Sequence, residues 1–507
     1  MLEGLAAALG DGGAAALLEL PDEALLEAWA ATVDAFLDPR SPERRELAAP
    51  LAALCALSPA GLDAGLAAVL GGVRRPHAVA VLARASRLSV PASGLPGFGP
   101  VVAAPPISAP LTAAPPVSGS LASASLTAAP RVSAPLVSAP LDLVLPVLGP
   151  PASGAPVLVV LASNLPGLAV QPLLPALALR RPVLLKSPSA EPLFAPAFLA
   201  ALVRREPRLA GAVAAATWAG GDAGLEAPLL AAMGTVVAYG GSEALADLAR
   251  RAPGKLVAYG PKMSVAAIDM ADSDMAGTDS DGDASPAALA AGLARDVALF
   301  YQRGCLSVTA VYVAGGLDAA RRLAGQLQAA LADLAERWPP GPAAAPELAA
   351  VQQARLEAEM RGLWPTASAA ALPSTSLPTA DLTSGIPPLA CGTVLIEPDP
   401  ALRPSPGLRT VRVHPLPDLD RLPEILAPWH GRLQGAALAG RAAWRLAPRL
   451  AELGISRCAA PGDLQSPDAA WHNGGIDPLL ALASPASLPG SPSGAAQRHD
   501  QDRAEER

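Results

Sequence analysis

Cys305 is the residue in this chain best placed for covalent chemistry. It sits in QRGCLSVTAVYV, where a helical stretch runs into a β-rich one. A thiol attacks a carbonyl carbon as its thiolate, and backbone N–H groups at such a junction can lower its pKa. Gly304 would let a substrate approach the backbone, with Gln302, Arg303 and Ser307 close by. Cysteine is also a small apolar residue that is commonly buried, so position alone leaves nucleophile and core residue both open. Cys55, Cys391 and Cys458 are scattered and form no CxxC pair with one another or with Cys305, which argues against a zinc site or redox motif. Four scattered thiols in 507 residues do not make a disulfide framework, so a reducing, cytoplasmic compartment is expected. Asp279-Ser280-Asp281-Gly282-Asp283 has the look of a calcium loop, but Ala290 stands where the bidentate Glu would be. A solvated surface loop is the expectation there, and no metal is expected. His77, His414 and His430 show no ligand spacing.

The elements that must carry these residues can be read from hydrophobic pattern. Residues 1–87 read as helices, with DEALLEAWAATVDAFL the clearest amphipathic run. From about 88 to 140 the chain is rich in Pro, Ala, Ser and Val and nearly uncharged. Ordered extended segments or a flexible linker would both suit it, and the former is expected for part of it. From Ala155 the pattern sharpens. PVLVVLASN, RPVLLKSPSA, GTVVAYGG and GKLVAYGP read as buried strands, each ending in a polar or Gly turn, with helical runs between them. Alternating strands and helices imply an open, mostly parallel α/β sheet that binds ligands at the carboxyl ends of its strands. Asn164, Lys186, Gly241 and Gly260 fall at such ends. Long helices are expected over 316–361, loop over 362–390, and helix and strand again after 390. The tail 485–507 reads as disordered.

Composition narrows the function. The net charge of -8 argues against a nucleic-acid binder. Residues Leu143 to Leu179 carry no charge, but seven prolines interrupt the run. That density breaks a spanning helix, so a buried strand, loop and helix are expected and no integral membrane span.

Several segments, in order, resemble the LuxC-like acyl-CoA reductase family, a branch of the aldehyde dehydrogenase superfamily. FYQRGCLSVTAVYV is similar to its nucleophile segment. SNLPGLAVQPLLPALALRRPVLLKSPSAEP resembles the superfamily's Asn-x-Pro loop and Lys-Pro-Ser strand. VVAYGGSEALADL resembles its Gly-Ser turn, and VAYGPKMSVAAI the segment that normally carries its general base. RTVRVHPL and GDLQSPDAAWHNGGIDPLLAL resemble that branch's C-terminal part. The likeness covers about residues 90–480.

The resemblance implies an aldehyde dehydrogenase-like α/β fold, with a Rossmann-type cofactor domain and a second α/β catalytic domain. The expected division is an N-terminal helical region at 1–87, a nicotinamide cofactor domain from 88–270 and about 430–484, and a catalytic domain at 271–429. Cys305 would attack the acyl carbonyl, with Asn164 donating to the oxyanion. Lys186 and Ser189 would meet the adenosine ribose or its 2′-phosphate. Gly241 and Ser242 would lie beneath the pyrophosphate or nicotinamide, and Gly260 is counted with the cofactor-binding positions. His472, in WHNGGIDP, would either approach the site or be structural. The implied reaction is NADPH-dependent (NADH possible) reduction of a fatty acyl-CoA or acyl-protein thioester to the aldehyde. The alternatives are a CoA-acylating aldehyde dehydrogenase acting on short aldehydes, or an inactive scaffold of the same fold. A homo-oligomer is expected, the N-terminal helices serving packing or association. Two departures stand out. Ala258 occupies the position of the Glu base of aldehyde-oxidising members, which favours chemistry between thioester and aldehyde. The Glu-x-Phe-Gly-Pro string that grips the nicotinamide ribose has no clear counterpart.

Overall fold

A computed structural model describes residues 9–88, 155–163, 165–254, 256–270, 285–361 and 391–483. The 89–154 stretch, Asn164, the acidic 271–284 loop, the 362–390 loop and the tail from 484 lie outside them.

Five short apolar strands form a first sheet: β1 (Val157–Val160), β2 (Val183–Ser187), β3 (Val213–Thr217), β4 (Thr235–Tyr239) and β5 (Leu256–Tyr259). Their order is β3-β2-β1-β4-β5, parallel throughout. This is the doubly wound order, whose reversal between β1 and β4 opens a crevice at the strands' carboxyl ends. Side chains alternate along each strand, so the sheet buries both faces. Leu158, Leu184 and Val236 meet Leu229, Leu230 and Met233. Val157, Val159, Val183, Leu185 and Val237 belong to the core shared with the N-terminal helices. Those helices are therefore not a separate layer. Trp29 and Phe36, from the helix Asp22–Leu37, meet Phe194 and Phe198 of the helix Phe194–Arg205 at centroid distances of 5.3–5.5 Å. Such ring pairs are worth about 0.5–1.5 kcal/mol each beyond burial. The stretch Pro59–Leu88 is long and apolar enough, by length and composition, to cross a membrane, but half of its apolar window is buried in this core.

Six strands form a second parallel sheet in the order β11-β10-β6-β7-β9-β8. They are β6 (Met263–Asp269), β7 (Val308–Ala314), β8 (Thr393–Ile396), β9 (Thr410–Leu416), β10 (Leu433–Ala439) and β11 (Arg457–Ala459). The helices Pro286–Ala298 and Gly316–Arg337 cover one face, with Leu293, Val297, Leu323 and Leu327 packed on Val311, Val313 and Val411. Short helices within 422–452 cover the other.

Residues 263–269 and 433–459, expected in the cofactor domain, form strands that pair within the second sheet. Only three residues, Gly260-Pro261-Lys262, separate β5 from β6, so the sequence shows no boundary where the chain crosses between sheets. Tight packing selects the partner: a side chain on Gly435 of β10 would begin 2.8 Å from Leu306 and 3.0 Å from Leu464. Small residues let β10 lie beside β6. Farther on, the helix Pro478–Ala483 does return to the first core, where Leu479 and Leu482 are buried.

Candidate active site

The crossing at 260–262 brings the carboxyl end of the first sheet against the amino end of the second, and Cys305 lies at that seam. Only Leu299 separates the end of the helix Pro286–Ala298 from an unusual turn. Phe300, Tyr301 and Gln302 are all left-handed, with φ of 54°, 58° and 62°. Non-glycine residues resist this conformation by roughly 1–2 kcal/mol each. Each is held by a different device. The ring of Phe300 fills the space beside Gly65, where a Cβ would come within 2.6 Å of it. Tyr301 lies against the guanidinium groups of Arg303 and Arg409, at 5.6 and 5.3 Å. The Gln302 amide donates to the carbonyls of Val308 (2.9 Å) and Thr410 (2.7 Å), and its oxygen accepts from the Thr410 N–H (2.8 Å).

Beyond the turn, the Gly304 N–H donates to Ser307 Oγ at 3.1 Å, and the Ser307 N–H donates to the Gly304 carbonyl at 3.0 Å. Ser307 Oγ reaches Gln465 at 3.4 Å, and the Gln465 amide donates to the Asp296 carbonyl at 2.7 Å. Ser264 Oγ, on β6, donates to the Cys305 carbonyl at 2.7 Å. The sulfur is thus carried on a short loop tied to two strands, a helix and the 462–466 segment.

Electrostatics at the sulfur differ from the expectation of a lowered pKa. Cys305 is part-exposed, but burial pushes its thiol up to about 12. The charge of Lys262 and backbone N–H groups, including that of Leu306, act in the opposite direction without overcoming it. Desolvation is the larger effect because the seam is walled by apolar and aromatic groups. The resting thiol is therefore protonated near neutral pH. Lys262 is itself held below the usual lysine range by burial, with Cys305 opposing that shift. Cys55 and Cys391 are 2% and 4% exposed and have no such access. Cys458, on β11, is pushed up to about 11 by burial.

Beside the seam lies a cleft lined mainly by apolar groups that include Pro172, Tyr239, Tyr259, Trp471 and Leu482. Tyr239 and Tyr259 stack face to face at 4.7 Å on paired positions of β4 and β5. Burial drives both phenols upward, Tyr259 to about 12, and the Cys305 charge adds to the effect at Tyr239. Tyr239 thereby links cleft and sulfur. The Trp471 indole donates to the Ser456 carbonyl at 3.2 Å, and Asn473 accepts from Gln434 at 2.7 Å. Asp477 caps the helix Pro478–Ala483 through the N–H groups of Leu479 and Leu480 and pairs with Arg84. His472 is half-exposed and reaches Asp477 at 3.4 Å. His414 lies elsewhere, buried on Tyr312, with Nδ1 2.7 Å from the Asp399 carbonyl.

The other sequence-selected residues lie along the first sheet's carboxyl edge. Lys186 is at the end of β2, part-buried, with Nζ 5.2 Å from the Trp218 ring. Burial lowers its pKa, with Glu226 opposing. Ser189 is exposed in the turn that follows. Gly241 caps the helix Ser242–Arg251, and a Cβ there would meet nothing within 4 Å, so the space before that N-terminus is open. Ser242 is exposed beside it. Gly260 follows β5 on the way to Lys262 and Cys305. Asn164 belongs to the loop after β1, outside the described residues. Ala258 is exposed on β5. Sequence reasoning passed over Lys262, the tyrosine pair, Trp471 and the role of Gln302. One signal was available: the string Val-Ala-Tyr-Gly occurs twice, at 237–240 and 257–260, which foretells two tyrosines at one level of neighbouring strands.

Comparison with known proteins agrees with this architecture. The profile of the acyl-CoA reductase (LuxC) family matches residues 152–484. No curated protein matches the chain in sequence. Among solved structures, aldehyde dehydrogenase 21 from Physcomitrella patens superposes with a TM-score of 0.60 at 14% identity, covering 94% of this chain and 87% of that one. The Δ-pyrroline-5-carboxylate dehydrogenase of Mycobacterium tuberculosis gives 0.55 at 15% identity, covering 95% and 81%. At these identities the likeness establishes the aldehyde dehydrogenase fold, while the family match spans well over half of the chain. The chain belongs to the LuxC acyl-CoA reductase family, an oxidoreductase family built here on the aldehyde dehydrogenase fold.

Proposed function

We propose that this chain reduces an acyl-CoA or acyl-protein thioester to the aldehyde through an acyl group carried on Cys305, with NADPH as the hydride donor. The observation that carries this reading is the placement of Cys305. It is the part-exposed thiol at the seam between a doubly wound sheet and a second α/β sheet, next to an aromatic-walled cleft. Its sulfur would attack the thioester carbonyl and expel the CoA thiol. Asn164 and the Cys305 backbone N–H would hold the oxyanion, and donors aimed at developing charge are a large part of such catalysis. The bound dinucleotide supplies the hydride that reduces the acyl carbon. Collapse of the resulting hemithioacetal on Cys305 frees the aldehyde. The cleft would take the acyl chain, since its lining is mostly apolar.

The residues present suit a nicotinamide dinucleotide. The open N-terminus at Gly241-Ser242 offers unpaired first-turn N–H groups to a pyrophosphate. Lys186 and Ser189 would address the ribose, and the Lys186 ammonium favours a 2′-phosphate, hence NADPH over NADH. Glu226 does not neutralise it by direct pairing, being engaged by Arg251 and the Trp218 indole. Ala258 leaves no carboxylate at the base position to activate water against the acyl-enzyme.

The test uses purified full-length chain with octanoyl-CoA and either NADPH or NADH, following loss of the reduced nicotinamide absorbance. Turnover should be faster with NADPH and absent in Cys305→Ser. Substituting Cys55, Cys391 or Cys458 by Ser should leave it largely intact. Octanoyl-CoA alone should leave an acyl adduct on the Cys305 peptide, seen by mass spectrometry. Neither adduct nor nicotinamide oxidation in the wild type would instead indicate an inactive scaffold of this fold.

A further inference from the structure

We propose that Lys262 is a catalytic residue of the acyl-transfer step, its amine taking the proton from the Cys305 thiol and passing it to the departing thiolate. This rests on the reading of Cys305 as the nucleophile.

Geometry places the two groups together. Lys262 is the last residue of the three-residue crossing into β6, two positions before Ser264. Ser264 pairs with Val308 of β7 and holds the Cys305 carbonyl through its hydroxyl at 2.7 Å. Lys262 and Cys305 therefore stand on the same amino edge of adjacent strands. The turn 473–475 closes over the lysine: Nζ is 3.4 Å from where a side chain on Gly474 would begin. Among the described residues no carboxylate lies within ion-pair distance of Nζ, so no ion pair there holds the part-buried amine in its charged form.

The other groups around the sulfur are poor proton acceptors. Tyr239 faces it from β4, with Tyr259 stacked behind on β5 and Asp477 and His472 beyond that. Both phenols are driven away from ionisation by burial. Among the described residues no carboxylate charge acts on Cys305, whereas Lys262 and Cys305 each act on the other. Composition adds a separate argument. The sequence has 37 Lys and Arg together, of which only Lys186, Lys255 and Lys262 are lysine. A chain that meets its need for positive charge almost wholly with arginine keeps a lysine beside its thiol. Arginine supplies charge but cannot give up its proton, whereas a desolvated lysine can serve as a base.

The step balances as follows. The S–H bond of Cys305 breaks and its proton passes to the neutral Lys262 amine. The sulfur forms a bond to the acyl carbon, and the bond from that carbon to the CoA sulfur breaks. The CoA thiolate leaves with the proton from the Lys262 ammonium, and the amine is restored. No electrons change hands here, because reduction of the acyl carbon follows later.

The test measures acylation of Cys305 by octanoyl-CoA in the absence of nicotinamide, by rapid quench and mass spectrometry of the intact full chain, across pH. Lys262→Met should slow acylation at neutral pH by about 10²–10⁴-fold, the range of general acid–base catalysis. It should also move the rise in rate to more alkaline pH. Lys262→Arg, which keeps size and charge, should fold normally yet remain slow at neutral pH. Lys262→Ala should recover part of its rate when ethylamine is added, as a merely structural lysine would not. Wild-type rate and pH profile in Lys262→Met or Lys262→Arg would overturn the proposal, as would losses that ethylamine does not rescue and whose pH profile is unchanged. An octanoyl adduct that survives in Cys305→Ser would instead overturn the reading of the nucleophile on which it rests.

Discussion

The carboxyl edge of the five-stranded sheet and the loop that carries Cys305 solve opposite problems. Along the edge, around Gly241 and Ser189, the backbone is ordinary and the surroundings are open. In the loop, three consecutive residues take a conformation that side chains resist, and every one is clamped. An open edge suits a ligand that must enter and leave by contacts to backbone N–H groups. A clamped loop suits a single atom that must stay in one place while bonds form on it. The clamps also come from far away in the chain: Gly65 from the N-terminal helices, Thr410 from β9, Gln465 from the C-terminal segment. The helices that showed no chemistry in sequence therefore help to hold the nucleophile.

Changes along this contrast should rank themselves. Cys305→Ser should remove turnover and the acyl adduct, the largest effect, and residual reduction at wild-type rate would show that the clamped loop serves another purpose. Gln302→Ala comes next. It removes three hydrogen bonds and leaves the Thr410 N–H only its bond to the Gly407 carbonyl. It should lower stability by about 3 kcal/mol, from three buried hydrogen bonds worth about 1 kcal/mol each, with a parallel fall in kcat. Urea denaturation and steady-state kinetics would measure both, and an unchanged kcat would mean that the loop keeps its shape without the clamp. Gly65→Ala sets a Cβ 2.6 Å from the Phe300 ring. Its expected cost is about 1–3 kcal/mol by overpacking, and kcat should fall more than KM rises, because the displaced ring abuts the nucleophile turn. The smallest effect belongs to the open edge. Gly241 has φ of -68° and free space around it, so Gly241→Ala should alter stability by no more than about 0.5 kcal/mol. If the proposed dinucleotide crosses that N-terminus, the same substitution should weaken NADPH binding in a fluorescence titration, and unchanged affinity would place the pyrophosphate elsewhere.

Local pattern was enough to find the strands and helices of the first sheet. Apolar runs such as Val157–Val160 and Val183–Ser187 are buried and end at turns, as hydrophobic periodicity requires. The ordered motifs were enough to indicate the family that the profile match later established. The seam was not legible. Met263 pairs with Leu433, far along the chain, and nothing within either segment states that partnership. The expectation for the thiol failed for a related reason. Sequence shows the backbone N–H groups near Cys305, but the desolvation that outweighs them comes from burial, which only the packed fold sets.

The sequence by itself determined the element types, the parallel α/β class, the nucleophile candidate and the strings Gly241-Ser242 and Lys186-Ser187-Pro188-Ser189. Each depends on side-chain spacing over a few residues or on a string that can be read in place. Only the tertiary structure decided which sheet owns 263–269 and 433–459, which groups clamp Phe300 to Gln302, and that Lys262 and Cys305 stand at one edge of adjacent strands. Those outcomes depend on register and burial between segments distant in sequence, where packing and desolvation act on the whole neighbourhood of an atom.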